Sequence, residues 1–262
     1  MCTDRIGHIS YRPSTNTYTL AFSSPTPEDL LELLASVPIS DSSDPQHLTP
    51  LPNSFLDSCP LHSGGGVGLG SIYSPYLPYL STVTEATDAL SKLIEQHRPS
   101  NSYLSSVLRS VVSTFGSRFF SPSTTPGRGS DLEPTVEITG HGLGAVLALL
   151  SSLRQSTLHP DLDIRVTFFS MPILGDLNFA QSVNQLVEER GGRLQLQRVS
   201  NGRDPLPVLP PPHFGLHHPT SITERYIEGS EGKERSGSWS RDRSRLDDSH
   251  GPYDGVMIGL RC

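Results

Sequence analysis

The segment whose residue types and spacing bear most directly on chemistry is Gly140-His141-Gly142-Leu143-Gly144. It stands between a short β-rich run, Thr135–Thr139, and a strongly apolar stretch of good helix formers, Ala145–Leu153. Strand, sharp glycine-flanked turn and helix form the setting of a nucleophile elbow, Gly-x-Ser-x-Gly, where a strained turn lifts a serine above the sheet. The helix N-terminus behind such a turn favours negative charge developing on a substrate oxygen. Both flanking glycines are in place, but Gly142 occupies the central position. Glycine has no hydroxyl, so no acyl-enzyme can form there.

A Gly-x-Gly-x-Gly string has a second meaning, a phosphate-binding turn in a dinucleotide fold. The spacing departs from G-x-G-x-x-G, although Ala145 suits the variant that ends in alanine. That reading expects an acidic residue closing a strand about 20 positions on. Asp161 and Asp163 precede a strand candidate instead.

The elements that must position this turn follow from periodicity. Arg5–Tyr11 and Thr17–Phe22 are β-like runs joined by turn chemistry at Pro13–Asn16, and they read as a hairpin. Thr26-Pro-Glu-Asp opens a helix, with Thr26 as N-cap and Pro27 at the first position. Val37–Gly70 has little periodicity and much Pro, Ser and Gly. Tyr79–His97 is predicted helical with Leu80, Val83, Ala86, Leu90 and Leu93 on one face, and Tyr103–Phe115 is a second such segment. Both stripes read as core contacts. Arg118–Pro134 reads as an inserted loop. Ile164–Ser170 and Leu194–Val199 are strand candidates around an amphipathic helix at Leu177–Glu189. Strands alternating with helices argue for a mainly parallel sheet with helices on both faces. Glu228–Asp248 is polar and reads as a solvated loop.

Bulk properties bound the function. The 262 residues suffice for one large α/β domain. A net charge of −7 argues against a general nucleic-acid role through phosphate neutralisation. No apolar run approaches the roughly 20 residues needed to span a bilayer. The start, Met1-Cys-Thr-Asp-Arg-Ile, lacks a signal-peptide pattern, so the chain as it stands reads as intracellular or truncated. Cys2, Cys59 and Cys262 are odd in number, so one cannot pair within the chain.

Val136-Glu-Ile-Thr-Gly-His-Gly-Leu-Gly-Ala-Val-Leu-Ala resembles the nucleophile region of the class 3, fungal lipase-type α/β-hydrolases, I-T-G-H-S-L-G-G-A-L-A. Further segments are similar to the family in the same order. Arg5–Phe22 resembles the hairpin before its F-R-G-[ST] oxyanion segment, and Glu28–Ile39 the stretch that leads into its lid. Val166–Ala180 resembles T-F-G-S-P-R-V-G-N-x-x-F-A, and Arg198–Pro211 resembles R-V-T-H-x-x-D-P-V-P-x-L-P-P. Phe214-Gly-Leu-His-His with Glu224-Arg-Tyr-Ile resembles F-G-F-x-H-x-x-x-E-Y-W-I, and the tail resembles the C-termini of secreted fungal members.

The resemblance implies an α/β-hydrolase with a mostly parallel central sheet flanked by helices, over residues 5–227. It also implies an insertion near 116–134, a lid or cover around Leu30–Gly70, and a polar tail, 228–262. It implies hydrolysis of carboxylic esters, acylglycerols above all, without metal or cofactor. Asp204 falls at the triad acid and His250 at the triad histidine, in the looser context Ser249-His-Gly-Pro-Tyr253. His218 is the competitor for that histidine, matching a family histidine near the acid loop. His141 precedes the elbow as a structural residue. The Leu143 N–H falls at the second oxyanion donor, and Ser24 or Pro25 at the first, because Phe22-Ser-Ser-Pro25 is one residue short of the family pattern. If Pro25 stands there, a backbone donor is lost. Arg235 stands where the cysteine partner of Cys262 is expected. Three hypotheses follow: a pseudoenzyme that keeps an acyl pocket, a weakly active ester hydrolase using water and the remaining pair, or a partner-binding scaffold. Retained lipid, ester turnover or a stoichiometric partner separates them.

Overall fold

The structure is a computed structural model and describes residues 7–23, 47–52, 55, 70–97, 133–201, 204, 206–210, 214–228 and 233–235. The expected helices at Thr26 and Tyr103–Phe115, nearly all of the 116–134 insertion, most of the cover region, Ser24, Pro25, His250 and the three cysteines lie outside these residues.

Seven strands form the main sheet: β1 (Gly7–Arg12), β2 (Thr17–Phe22), β5 (Thr135–His141), β6 (Asp163–Phe169), β8 (Leu194–Asn201), β10 (Thr223–Glu228) and β11 (Lys233–Arg235). They lie in that spatial order; the five central strands are parallel, and β1 and β11 are antiparallel edges. This is the α/β-hydrolase arrangement. Alternation sets the buried face: Tyr18, Leu20 and Phe22 on β2, Val136 and Ile138 on β5, Ile164, Val166 and Phe168 on β6.

Among the described residues the α-helices are α1 (Leu80–His97), α2 (Leu143–Leu158) and α3 (Leu177–Glu189). A helix apolar all round has to be buried, and α2 lies between the sheet and α1, with Leu143 to Leu153 out of solvent. The Gln155 amide donates to the Thr87 carbonyl on α1 at 2.8 Å, which satisfies a polar group inside that interface. The buried stripe of α1 is Val83, Thr87, Leu90 and Ile94, a slight rotation from the expected face that leaves Ala86 and Leu93 partly buried.

Alternation of strands and helices predicts a mainly parallel sheet with helices on both faces; the sheet is mainly parallel and flanked by helices, and the described residues place α1 and α2 on one face. The central strands are laid down in one direction across the sheet, and right-handed crossovers then bring successive helices to the same face. Among the described residues, the opposite face presents cross-strand rows of partly or fully exposed polar side chains: Thr19, Glu137, Arg165 and Gln195, then Thr139, Thr167 and Gln197.

A second sheet joins β3 (Leu48–Pro50), β4 (Ser71–Tyr73), β7 (Gly175–Asp176) and β9 (Leu216–His217), all antiparallel. Thus β3 lies inside the stretch expected to be irregular. The polar tail expected to be wholly solvated instead contributes β11 to the edge of the main sheet.

Candidate active site

The site is organised around the end of β5. Gly142 has φ 55° and ψ −120° between the last residue of β5 and the first of α2. That backbone region is open to glycine at little cost and strained for other residues. The Gly142 N–H donates to the Phe169 carbonyl at 2.9 Å, tying the turn to the end of β6. The flanking glycines answer to close approaches. A Cβ at Gly140 would stand 2.0 Å from the Gly144 carbonyl oxygen, and one at Gly144 would stand 2.6 Å from the Phe22 carbonyl oxygen. The first turn of α2 therefore packs on the strand below it and on the end of β2, where Ser23 leads toward Ser24.

The N-cap of α2 makes no side-chain cap hydrogen bond. The Leu143 amide is in the first turn, where N–H groups have no intrahelical acceptor and the helix dipole favours an anion. The Leu143 side chain itself belongs to the core, 1% exposed.

Asp204 lies just past the end of β8 and is buried. The Ser170 hydroxyl donates to its Oδ2, and the Leu206 N–H donates to its Oδ1 at 3.0 Å. The Asp204 N–H in turn donates to the Asn201 carbonyl at 3.0 Å. The carboxylate is thus held at both oxygens by groups of the fold. The sequence gives Ser170 no role; the signal available is a hydroxyl residue at the end of the strand next to the glycine turn.

The histidines separate. His218 directs Nε2 to the Pro207 carbonyl at 2.8 Å, and its buried Nδ1 makes no hydrogen bond, so neither nitrogen reaches Asp204. Burial, together with the nearby Arg198 guanidinium, lowers its pKa to about 3, against the opposing pull of the Pro207 carbonyl. At neutral pH the ring is uncharged, with its proton on Nε2, the nitrogen facing an acceptor. His218 therefore ties the Leu206–Val208 turn to the end of β9 and makes no hydrogen bond to Asp204. His141 ends β5 in register with Phe169. Alternation puts its side chain on the side of Glu137 and Thr139, away from α2. His250 and Ser24 lie outside the described residues, so Asp204, Leu143 and Gly142 are the expected site residues brought to one end of the sheet. No group of three metal-ligating side chains occurs among the described residues.

Comparison with known proteins agrees with this geometry. Residues 127–214 match the Lipase (class 3) family. A secreted mono- and diacylglycerol lipase of Malassezia globosa is 31% identical over 106 residues, 38% of this chain and 31% of that protein. Another from Malassezia restricta is 32% identical over 134 residues, 47% of this chain and 42% of that protein. The chain thus spans less than half the length of these curated relatives. A triacylglycerol lipase from Penicillium expansum superimposes with a TM-score of 0.61 at 16% identity, covering 96% of this chain and 78% of that one. A Rhizomucor miehei lipase in complex with its propeptide gives 0.59 at 19% identity, covering 97% and 64%. The chain has the α/β-hydrolase fold, and its residues 127–214, which run through the glycine turn and the Asp204 loop, are similar to the class 3, fungal lipase-type family.

Proposed function

We propose that this chain engages acylglycerols or related carboxylic ester lipids on a class 3 lipase scaffold, and that its hydrolytic step is lost or severely impaired. One observation carries the reading: Gly142, read here as the apex of the elbow, stands at φ 55° and ψ −120° between strand and helix and has no side chain. In the serine mechanism a hydroxyl at this place attacks the ester carbonyl, a histidine takes its proton, and an acid orients that histidine. In this reading Asp204, just past the end of β8, is the acid, and His250 is the histidine of the proposed triad remnant. With Gly142 at the apex there is no hydroxyl for that histidine to deprotonate. The Leu143 N–H at the head of α2 still offers a donor to a carbonyl oxygen, with Ser24 as the proposed second donor. Relatives described as mono- and diacylglycerol lipases support the substrate class.

The test is labelling by a serine-directed fluorophosphonate together with hydrolysis of a short-chain nitrophenyl ester. The unmodified chain is expected to be unlabelled and close to inert, and Gly142→Ser is expected to be labelled. Robust turnover by the unmodified chain, unchanged in a variant lacking both Asp204 and His250, refutes the reading. Retention of acylglycerol on vesicles or mixed micelles by the unmodified chain separates a lipid-binding protein from a partner scaffold.

A further inference from the structure

We infer that Ser170 is a positioning residue for Asp204, fixing the carboxylate against the same strand end that anchors the glycine turn; this rests on reading Asp204 as the acid of the site. Ser170 follows the last residue of β6, is fully buried, and donates its hydroxyl to Asp204 Oδ2. Its backbone stands at φ 53°. Among the described residues only Asn16, in the β1–β2 turn, is another non-glycine at positive φ. Asparagine adopts that region readily and serine does not. A strained serine in a buried place where glycine would fit more easily points to a use for its hydroxyl.

The use follows from what the two neighbouring residues hold. The Phe169 carbonyl accepts the Gly142 N–H at 2.9 Å, and the Ser170 N–H donates to the Val199 carbonyl at 3.0 Å. One dipeptide therefore grips the elbow with its carbonyl, the end of β8 with its amide, and the acid with its hydroxyl. Asp204 sits on the loop leaving β8, where the Leu206 N–H also donates to it. The serine ties the acid to the strand end that holds the elbow. The acid's place is accordingly built into the sheet and does not need a serine at residue 142.

The experiment has two arms, each with Ser170→Ala and Ser170→Gly. Glycine removes the hydroxyl while relieving the backbone, so it remains informative if the alanine variant folds poorly. In the full chain with Gly142 retained, amide hydrogen exchange is followed at Leu206, with Ala148 and Leu149 in α2 as the global reference. Loss of a hydrogen bond to a charged group predicts a fall in Leu206 protection of about tenfold or more, with the α2 amides unmoved in Ser170→Gly. In a Gly142→Ser background, the rate of fluorophosphonate labelling is expected to fall by a similar factor when Ser170 becomes Gly. Unchanged Leu206 protection overturns the inference, and so does labelling that is equally fast with and without the Ser170 hydroxyl. If Leu206 protection falls but folded Gly142→Ser is never labelled, the anchoring of Asp204 by Ser170 stands and the functional reading of the site fails.

Discussion

Gly144 and Phe22 approach so closely that a methyl group on the glycine would stand 2.6 Å from the Phe22 carbonyl oxygen. The obstacle is backbone on a central strand of the sheet, so it cannot swing aside as the tip of a long side chain would. Gly144→Ala must push α2 away from β2 and is expected to cost about 1–3 kcal/mol, the range for overpacking a filled core. A fall in the urea midpoint without a change in slope would show it. An unchanged midpoint would mean that α2 is not seated on the end of β2 as described.

Gly142 separates backbone strain from chemistry. Gly142→Ala and Gly142→Ser both place a Cβ on a residue at φ 55°, and each is expected to cost ~1–2 kcal/mol. Only the serine variant gains a nucleophile, so only it is expected to react with the fluorophosphonate. Thermal unfolding gives the matched destabilisation and labelling gives the difference. Labelling of Gly142→Ala would place the reactive hydroxyl elsewhere in the chain.

His218 gives a pH dependence whose sign is set. Its pKa in the folded protein is lowered to about 3, first by burial and then by Arg198, against about 6.5 for an unperturbed histidine. Between those values the unfolded chain binds the proton and the folded one does not, so stability rises with pH across the window. The stability is fully present above the unfolded pKa and is lost as pH falls toward the folded one. His218→Gln keeps a donor for the Pro207 carbonyl and does not titrate. It is expected to flatten the stability profile between pH 4 and 6.5 by up to about one proton's worth of slope, measured by urea midpoints at several pH values. A profile as steep as that of the unmodified chain would assign the slope to other groups.

Asp176 caps α3 and binds the second sheet at once. Its Oδ1 accepts the Phe179 N–H at 2.7 Å and its Oδ2 accepts the Ser71 N–H at 3.0 Å. Asp176→Ala loses the cap and the tie to β4, and is expected to cost about 1–2 kcal/mol. Exchange at the Phe179 and Ser71 amides should rise together. A rise at only one would show that the two contacts are independent.

Much of this architecture is legible along the chain. Leu177–Glu189 has the period of an amphipathic helix, and α3 spans those residues. Strands β5, β6 and β8 fall on β-rich runs, because alternation over six or more residues leaves a strong trace. The four strands of the second sheet are two or three residues long and leave none. Asp204 can be singled out from its loop. The identity of the group that holds it, 34 positions earlier at Ser170, cannot.

The sequence by itself determines the glycine turn and the missing hydroxyl, because both are matters of residue type at consecutive positions. A chain with Gly at 140, 142 and 144 between a β-branched run and an apolar helix can make that turn, and it carries no nucleophile at the apex whatever surrounds it. Tertiary structure alone decides the direction in which the strands are laid down, and hence the single helical face among the described residues. It alone brings the Ser170 hydroxyl to Asp204 and turns His218 to Pro207. Those pairings join residues 34 and 11 positions apart in the chain, on different elements, and they exist only once β6, β8 and β9 have taken their places, because a hydrogen bond needs its atoms within about 3 Å.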